Sequence, residues 1–374
     1  MSFAVNGTTG ITFNDNTNMA TAASLGPRNR IINGNMAIDQ RNAGAAISAA
    51  NLTSASYTVD RWQYFSSQTS KFNAQQNQGA VTGPTGFSNY LGLTSQSAYS
   101  VLAGDYFGIR QQIEGFNVSD LAWGTSSAKT VTLSFLVYSS LTGTFGGAIY
   151  NIAGTRSYPF SYSVPSANTW TTISITISGD TSGTWVGNTN GSWGSISFGL
   201  GAGSTYTGTS GVWASAFYTQ PTSTVSVVGT SGATFYITGV QLEVGSVATP
   251  YQFNTYSDQL AQCQRYFVQY GGNAYTSIGV GSWFSSTRFL CVIQLPVPMR
   301  AAPTATNNGF VSWYGPNPYG TPTITSIGVS SLGGGITTIE PDMTTASATA
   351  TTAGVGSFKL VNNSSGTFSL SAEL

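Results

Sequence analysis

The chain contains no histidine. That absence removes the commonest general base, the Ser-His-Asp arrangement and imidazole metal sites. Acid–base chemistry would have to come from twelve Asp and Glu residues, balanced by twelve Lys and Arg. Glycoside hydrolysis is the reaction open to such a set, because it needs only two carboxyl groups roughly 5–9.5 Å apart. Asp39 and Asp60 stand close to Arg41 and Arg61, and Glu114 and Glu243 fall in strand-like contexts near Arg110. Each of these reads as a structural ion pair. No two acids share a context that suggests a cleft, so the chain is read as non-enzymatic, without catalytic residue, metal site or cofactor. The two cysteines, Cys263 and Cys291, lie in apolar stretches and read as reduced, buried hydrophobes.

Aromatic side chains are the stronger lead. Trp185, Trp193, Tyr206 and Trp213 fall in a Gly/Ser/Thr-rich stretch that predicts loops. Phe310-Val-Ser-Trp-Tyr-Gly-Pro-Asn-Pro-Tyr-Gly320 predicts a rigid loop presenting Trp313, Tyr314 and Tyr319, because Pro316 and Pro318 block a central strand. Sugar rings stack their C–H faces on such rings while amides and hydroxyls take the sugar hydroxyls. These seven residues are therefore the glycan-binding candidates. The alternative for the first four is that they cap the edge of a sandwich or pack against a neighbouring subunit; for the proline loop it is a subunit contact. Charged residues make up 6% of the chain against a usual figure of about 25%, and the formal net charge is zero. Nothing in that balance steers the molecule to nucleic acid or to an anionic membrane, and it suits an uncharged glycan or another protein subunit. The longest apolar run, about Phe289 to Leu295, is far short of the ~20 residues that span a bilayer. The N-terminus lacks a basic and apolar leader, which predicts synthesis and folding in a cytoplasm.

The elements that must position these residues are mostly strands. Val131, Leu133, Phe135 and Val137 alternate with outward residues, as do Ile173, Ile175 and Ile177, then Ile196, Phe198 and Leu200, then Val240, Leu242 and Val244. Period-two alternation broken by Gly-, Ser- and Asn-rich turns predicts a sandwich or jelly roll. One helix is expected from an N-cap at Ser257, with Leu260, Cys263 and Phe267 on one face. A short turn is expected at Ser119–Trp123, closed by Gly124. The chain divides into an arm (1–29), a large jelly-roll sandwich (30–254), a helical linker (255–265) and a second, smaller β-sandwich (266–374). The last of these is expected to end in a hairpin of Phe358–Val361 with Thr367–Leu370. The fold class is all-β.

Several stretches together resemble a module of bacteriophage tail-fibre and related virion proteins. They include Arg30-Ile-Ile-Asn-Gly-Asn-Met-Ala-Ile-Asp-Gln-Arg41, Tyr57-Thr-Val-Asp-Arg-Trp62, and Gln112-Ile-Glu-Gly-Phe-Asn-Val-Ser-Asp-Leu121. Further along come Tyr236-Ile-Thr-Gly-Val-Gln-Leu-Glu-Val-Gly-Ser-Val-Ala-Thr-Pro250, Gln262-Cys-Gln-Arg-Tyr-Phe267, Pro296-Val-Pro-Met-Arg-Ala-Ala-Pro303 and Ser371-Ala-Glu-Leu374. The resemblance implies a carbohydrate-binding-module-like jelly roll, assembled as a homotrimer and located in the virion. It implies no catalytic residues. Asn6-Gly-Thr-Thr-Gly-Ile-Thr-Phe13 resembles segments near fibre attachment points, and Val5, Ile11 and Phe13 are the candidates for docking on other tail or capsid proteins. The expectation is a short tail fibre or receptor-binding protein that contacts host-surface glycan without cleaving it. A purely architectural decoration protein of capsid or tail is the alternative, and a polysaccharide depolymerase the third.

Overall fold

The computed structural model describes residues 28–271, 292–308 and 366–374 in full. It also describes residues 285 and 336 and the backbone of strands lying within 4–19, 276–291, 313–345 and 358–362. The described residues are mostly strand, with one short α-helix. Ten strands build the large sandwich. They are β1 (Gln63–Ser66), β2 (Phe72–Gln76), β3 (Leu91–Ser95), β4 (Tyr106–Glu114), β5 (Val131–Ser139), β6 (Gly143–Asn151), β7 (Ser157–Val164), β8 (Thr171–Ile177), β9 (Ser192–Ala202) and β10 (Thr234–Val244). They form two five-stranded antiparallel sheets, ordered β7-β6-β9-β4-β1 and β8-β5-β10-β3-β2. Only β2 with β3 and β6 with β7 are sequence neighbours within one sheet; every other connection crosses to the opposite sheet.

The alternation explains the core. Val131, Leu133, Phe135 and Val137 of β5 face Ile196, Phe198 and Leu200 of β9, all buried, and the Phe135 and Phe198 rings meet at 4.9 Å. Removing such a ring leaves a cavity that costs about 3–5 kcal/mol. Ile175 is only half-buried because β8 is an edge strand, and Val244 at the end of β10 is exposed. The middle of the first sheet is covered on its outer side by the chain itself: Gln220 lies over Gly199, and Pro221 over Gly146. The second sheet carries the open face.

The helix α1 spans Tyr256–Gln264, and its N-cap is Thr255, two residues before the expected Ser257; the Thr255 hydroxyl accepts from the Asp258 N–H at 3.2 Å. Ser257 is already helical, and Phe267 is outside the helix, in a strand. The turn at Ser119–Leu121 is a 3-10 segment closed by Ala122 in the left-handed region, not by Gly124. After the helix, β11 (Phe267–Gly271), β12 (Thr304–Asn308) and β13 (Thr367–Ser371) form a three-stranded sheet with β13 in the middle. The strands between them form another sheet, in which Phe358–Asn362 pairs with Thr276–Trp283 and with Trp313–Tyr314. The expected closing hairpin is therefore absent: its two strands lie in different sheets. Burying Phe368 and Leu370 decides where β13 goes, and alternation names the buried face without naming the partner strand.

At the other end, Ala4–Asn6, Gly10–Thr12 and Asn18–Met19 pair in antiparallel order, with Val5 opposite Ile11. Phe13 lies outside the described residues.

Candidate functional site

The open face belongs to the sheet β8-β5-β10-β3-β2. Inward alternation on β5 sends Ser134, Leu136 and Tyr138 outward, and Thr172 and Ser174 of β8 lie exposed beside them. Tyr138 and Tyr236 are register partners on β5 and β10, and their rings stand 5.3 Å apart and 5° from parallel. Tyr90 stacks on Tyr236 at 5.2 Å, and Trp170 packs against Tyr90 and Tyr138. The Tyr90 hydroxyl donates to the Gln78 carbonyl and accepts from the Val81 N–H, which fixes the ring beneath the 77–90 loop. A second group of rings, Phe87, Tyr251 and Phe253, meets at 4.9–5.2 Å.

A trough of about 400 Å³ runs along this face. Phe87, Leu136 and Tyr251 supply apolar surface, and Ser134, Thr172, Ser174 and Thr249 supply hydroxyls. No Asp, Glu, Lys or Arg lines it. Gly239 takes part in its wall, at φ +63°, within the irregular stretch of β10 between Thr238 and Gln241. A Cβ there would stand 2.7 Å from Leu136 and 2.9 Å from Phe87, so only glycine allows those side chains to close on the strand. Burial pushes the Tyr251 and Tyr236 phenols up, which keeps them neutral hydrogen-bonding groups.

One wall is held from behind. Glu243 accepts from the Thr249 N–H (2.8 Å), the Thr249 hydroxyl (2.7 Å) and the Gln241 amide (3.0 Å), and Gln241 accepts from the Gln252 N–H (2.8 Å). The expected pairing of Glu243 with an arginine gives way to these neutral donors. Its role is to position the Thr249–Gln252 segment.

The other acids also have partners other than those expected. Arg41 and Arg61 both bond Glu373, not Asp39 and Asp60. Their guanidinium groups stack 3.5 Å over Phe267 and 3.6 Å over Tyr266 respectively. Asp39 accepts from the Asn42 and Gly44 N–H groups, and Asp60 from the Gln40 N–H and side-chain amide. Burial pushes Asp60 up to about 6, against hydrogen bonds from Gln40. Glu114 takes Arg265 through two bonds and the Tyr266 hydroxyl at 2.5 Å, leaving Arg110 to the Gln63 side chain. Among the described residues no three of Cys, Asp and Glu gather as a metal-ligand set. Cys263 is a free, buried thiol. The side chain of Cys291, in the strand Arg288–Gln294, lies outside the described residues.

The sequence-derived aromatic candidates divide. Trp185, Trp193 and Trp213 come together, with Trp123 at their centre 4.9–5.2 Å from each. Trp193 is not loop-borne: it sits on β9, 2% exposed, at the register shift between Ser192 and Gly194 and out of phase with Ile196, Phe198 and Leu200. Trp185 donates to Asp180, itself held by two bonds from Arg156, and Trp213 donates to the Ser178 carbonyl. Tyr206 belongs to a different group, packed on Tyr106 and Phe217 outside the first sheet. Trp313 and Tyr314 form a two-residue strand rather than a loop, and Tyr319 lies outside the described residues. The rings on this face of the sheet were missed. Tyr138 carried a signal, since it is the outward neighbour of the Val131–Val137 column; Phe87 and Tyr251 sit in loops, where no periodicity points at them.

No protein-family profile matches the chain, and no curated protein matches it. Similar solved structures include the enzymatically active domain of bacteriophage CBA120 tailspike protein 4 (13% identity, TM-score 0.30, covering 58% of this chain and 21% of that one). An arabinose-bound α-L-arabinofuranosidase gives 13% identity and a TM-score of 0.36, covering 64% of this chain and 30% of that one. A family 11 carbohydrate-binding module from Clostridium thermocellum gives 16% identity and a TM-score of 0.25, covering 50% of this chain and 91% of that one. The chain thus matches less than a third of the length of the first two. What the site can bind follows from its own geometry.

Proposed function

We propose that this chain is a glycan-binding, non-catalytic structural protein of a bacteriophage virion, a short tail fibre or receptor-binding protein that binds host-surface glycan in the trough on β8, β5 and β10. The observation that carries the reading is a charge-free trough walled by Phe87 and Tyr251 and edged with serine and threonine hydroxyls. Such a surface offers a sugar both a stacking plane and hydroxyl partners, and gives nothing to an ion. The absence of catalysis is supported by the acids: Asp39, Asp60, Glu114 and Glu243 each spend their oxygens on structural donors. The virion assignment rests on the motifs of the tail-fibre module, and attachment through residues 1–29 to other virion proteins is part of the same reading.

The test is a glycan array followed by titration of the best ligand. Phe87→Ala should weaken binding by about 0.5–1.5 kcal/mol for a lost stacking contact, with host adsorption reduced further by avidity. A blank array leaves the architectural reading, and a ligand that ignores Phe87→Ala binds outside the trough. New reducing ends released from host polysaccharide would establish the depolymerase instead.

A further inference from the structure

A second cavity, of about 240 Å³, lies where the helix meets the sandwich. Three separate stretches wall it: Asn29 to Ile32, Phe116 with Asn117, and Gln262 to Tyr266. It shares no residue with the trough, and its chemistry differs. Two guanidinium groups line it, those of Arg30 and Arg265, with side chains 22% and 33% exposed. Each spends only part of its donor set inside the protein. Arg30 gives Nη2 to Asp120 at 2.8 Å and Nη1 to the Asn117 carbonyl at 3.2 Å, while its Nε has no hydrogen-bond partner. Arg265 gives Nε and Nη2 to Glu114, which leaves Nη1 without a partner among the described residues. Lys129 shares Asp120 at 3.8 Å. The local balance is three cations against two anions, in a protein whose net charge is zero.

At the same cavity Phe116 stands 52% exposed. A ring for stacking beside two partly used guanidinium groups fits a ligand with an apolar C–H face and a carboxylate. The volume falls below the roughly 300–1,000 Å³ of pockets for drug-sized molecules, which suits one sugar unit and not a chain. We infer that this cavity is a second binding site, for a carboxylate-bearing sugar unit. Arg30 and Arg265 take the carboxylate, Phe116 stacks on the ring, and Gln262 meets a hydroxyl. The inference stands on residues other than those of the trough, so either site can fail without the other.

Titration calorimetry of the full chain with glucuronic acid, glucose and acetate decides it. Glucuronic acid should bind about tenfold more tightly than its neutral twin or the bare carboxylate. The advantage should shrink several-fold on going to about 0.5 M salt, which screens exposed charge. Phe116→Ala should bring glucuronic acid down to the affinity of acetate, and Gln262→Ala should weaken glucuronic acid binding; the second variant keeps the test alive if the first perturbs the fold. Phe87→Ala, in the trough, should leave it unchanged. Equal binding of glucuronic acid and glucose, acetate binding as well as the sugar acid, no binding at all, or indifference to both variants would overturn the inference.

Discussion

Asp60 is a buried carboxyl group in a chain without histidine, and the direction of its shift follows from burial. Its folded value of about 6 stands above the ordinary 3.8. The protonated form is thus the one the fold favours, and the stability it contributes is complete below pH ~4 and lost as pH rises through ~6. The difference is on the order of 3 kcal/mol. Asp39 moves in the same direction, also through burial. Asp105 and Asp180 act oppositely: despite burial, hydrogen bonds from Leu102, Ser67 and Tyr99, and from Arg156 and Trp185, hold them low, so their contribution is lost as pH falls. Asp60→Asn isolates one group from this mixture. Between pH ~4 and ~7 the melting temperature of the parent should fall relative to that of the variant. Parallel curves would show that Asp60 does not titrate in that window.

At the scale of elements, β10 joins the core and the trough in one strand. Its inward residues Phe235, Ile237, Val240 and Leu242 fill the sandwich, while its irregular stretch brings Gly239 to the trough. Gly239→Ala forces a side chain into the left-handed region and against Leu136 and Phe87. The expected loss is roughly 1–3 kcal/mol in a denaturant melt, and a neutral result would mean that the strand relaxes there. Glu243→Gln should keep the melt but loosen the Thr249–Gln252 wall, which titration of the trough ligand would register as weaker binding. Much of the sandwich was legible in the sequence, because alternation states directly which face of a strand is buried: the columns of β5 and β9 needed nothing else. Pairing was not legible. Phe358–Asn362 and Thr367–Ser371 are neighbours in sequence and lie in different sheets, since partner choice depends on surfaces far along the chain. The aromatic residues of the open face were half legible. Tyr138 and Tyr236 occupy outward positions of strands that alternation finds, whereas the Trp185–Trp193–Trp213 group, chosen for its loop-like setting, proves to pack on itself around Trp123.

For the molecule as a whole, assembly is the open quantity. Val247 and Phe253, between β10 and α1, and Tyr256, the first residue of α1, are all exposed. Exposed apolar residues gathered in this way mark contact surfaces, and the homotrimer implied by the fibre-like motifs would cover them. Light scattering should therefore give three times the chain mass of 39.0 kDa, and a stable monomer at about micromolar concentration would exclude the trimer. The tail holds the ends of the described structure together: Arg41 and Arg61 grip Glu373 from the sandwich side, and Arg300 donates to the Ala372 and Glu373 carbonyls from the other. Glu373→Ala leaves the fully buried Arg61 without its anion, and such a loss costs about 3–5 kcal/mol. The melt should drop accordingly, and an unchanged melt would mean that the Tyr266 ring alone suffices for Arg61.

Arg61 and Glu373 are separated by 312 positions. A ribosome extends a chain at about 5–20 residues per second, so the arginine emerges long before its counter-ion exists. The sandwich strands can pair in that interval, but the segment around Arg61 cannot settle into a dry interior with its charge unmatched. The order of translation therefore sets an order of folding: the sandwich strands come first, and the dry packing around Arg61 waits for Glu373.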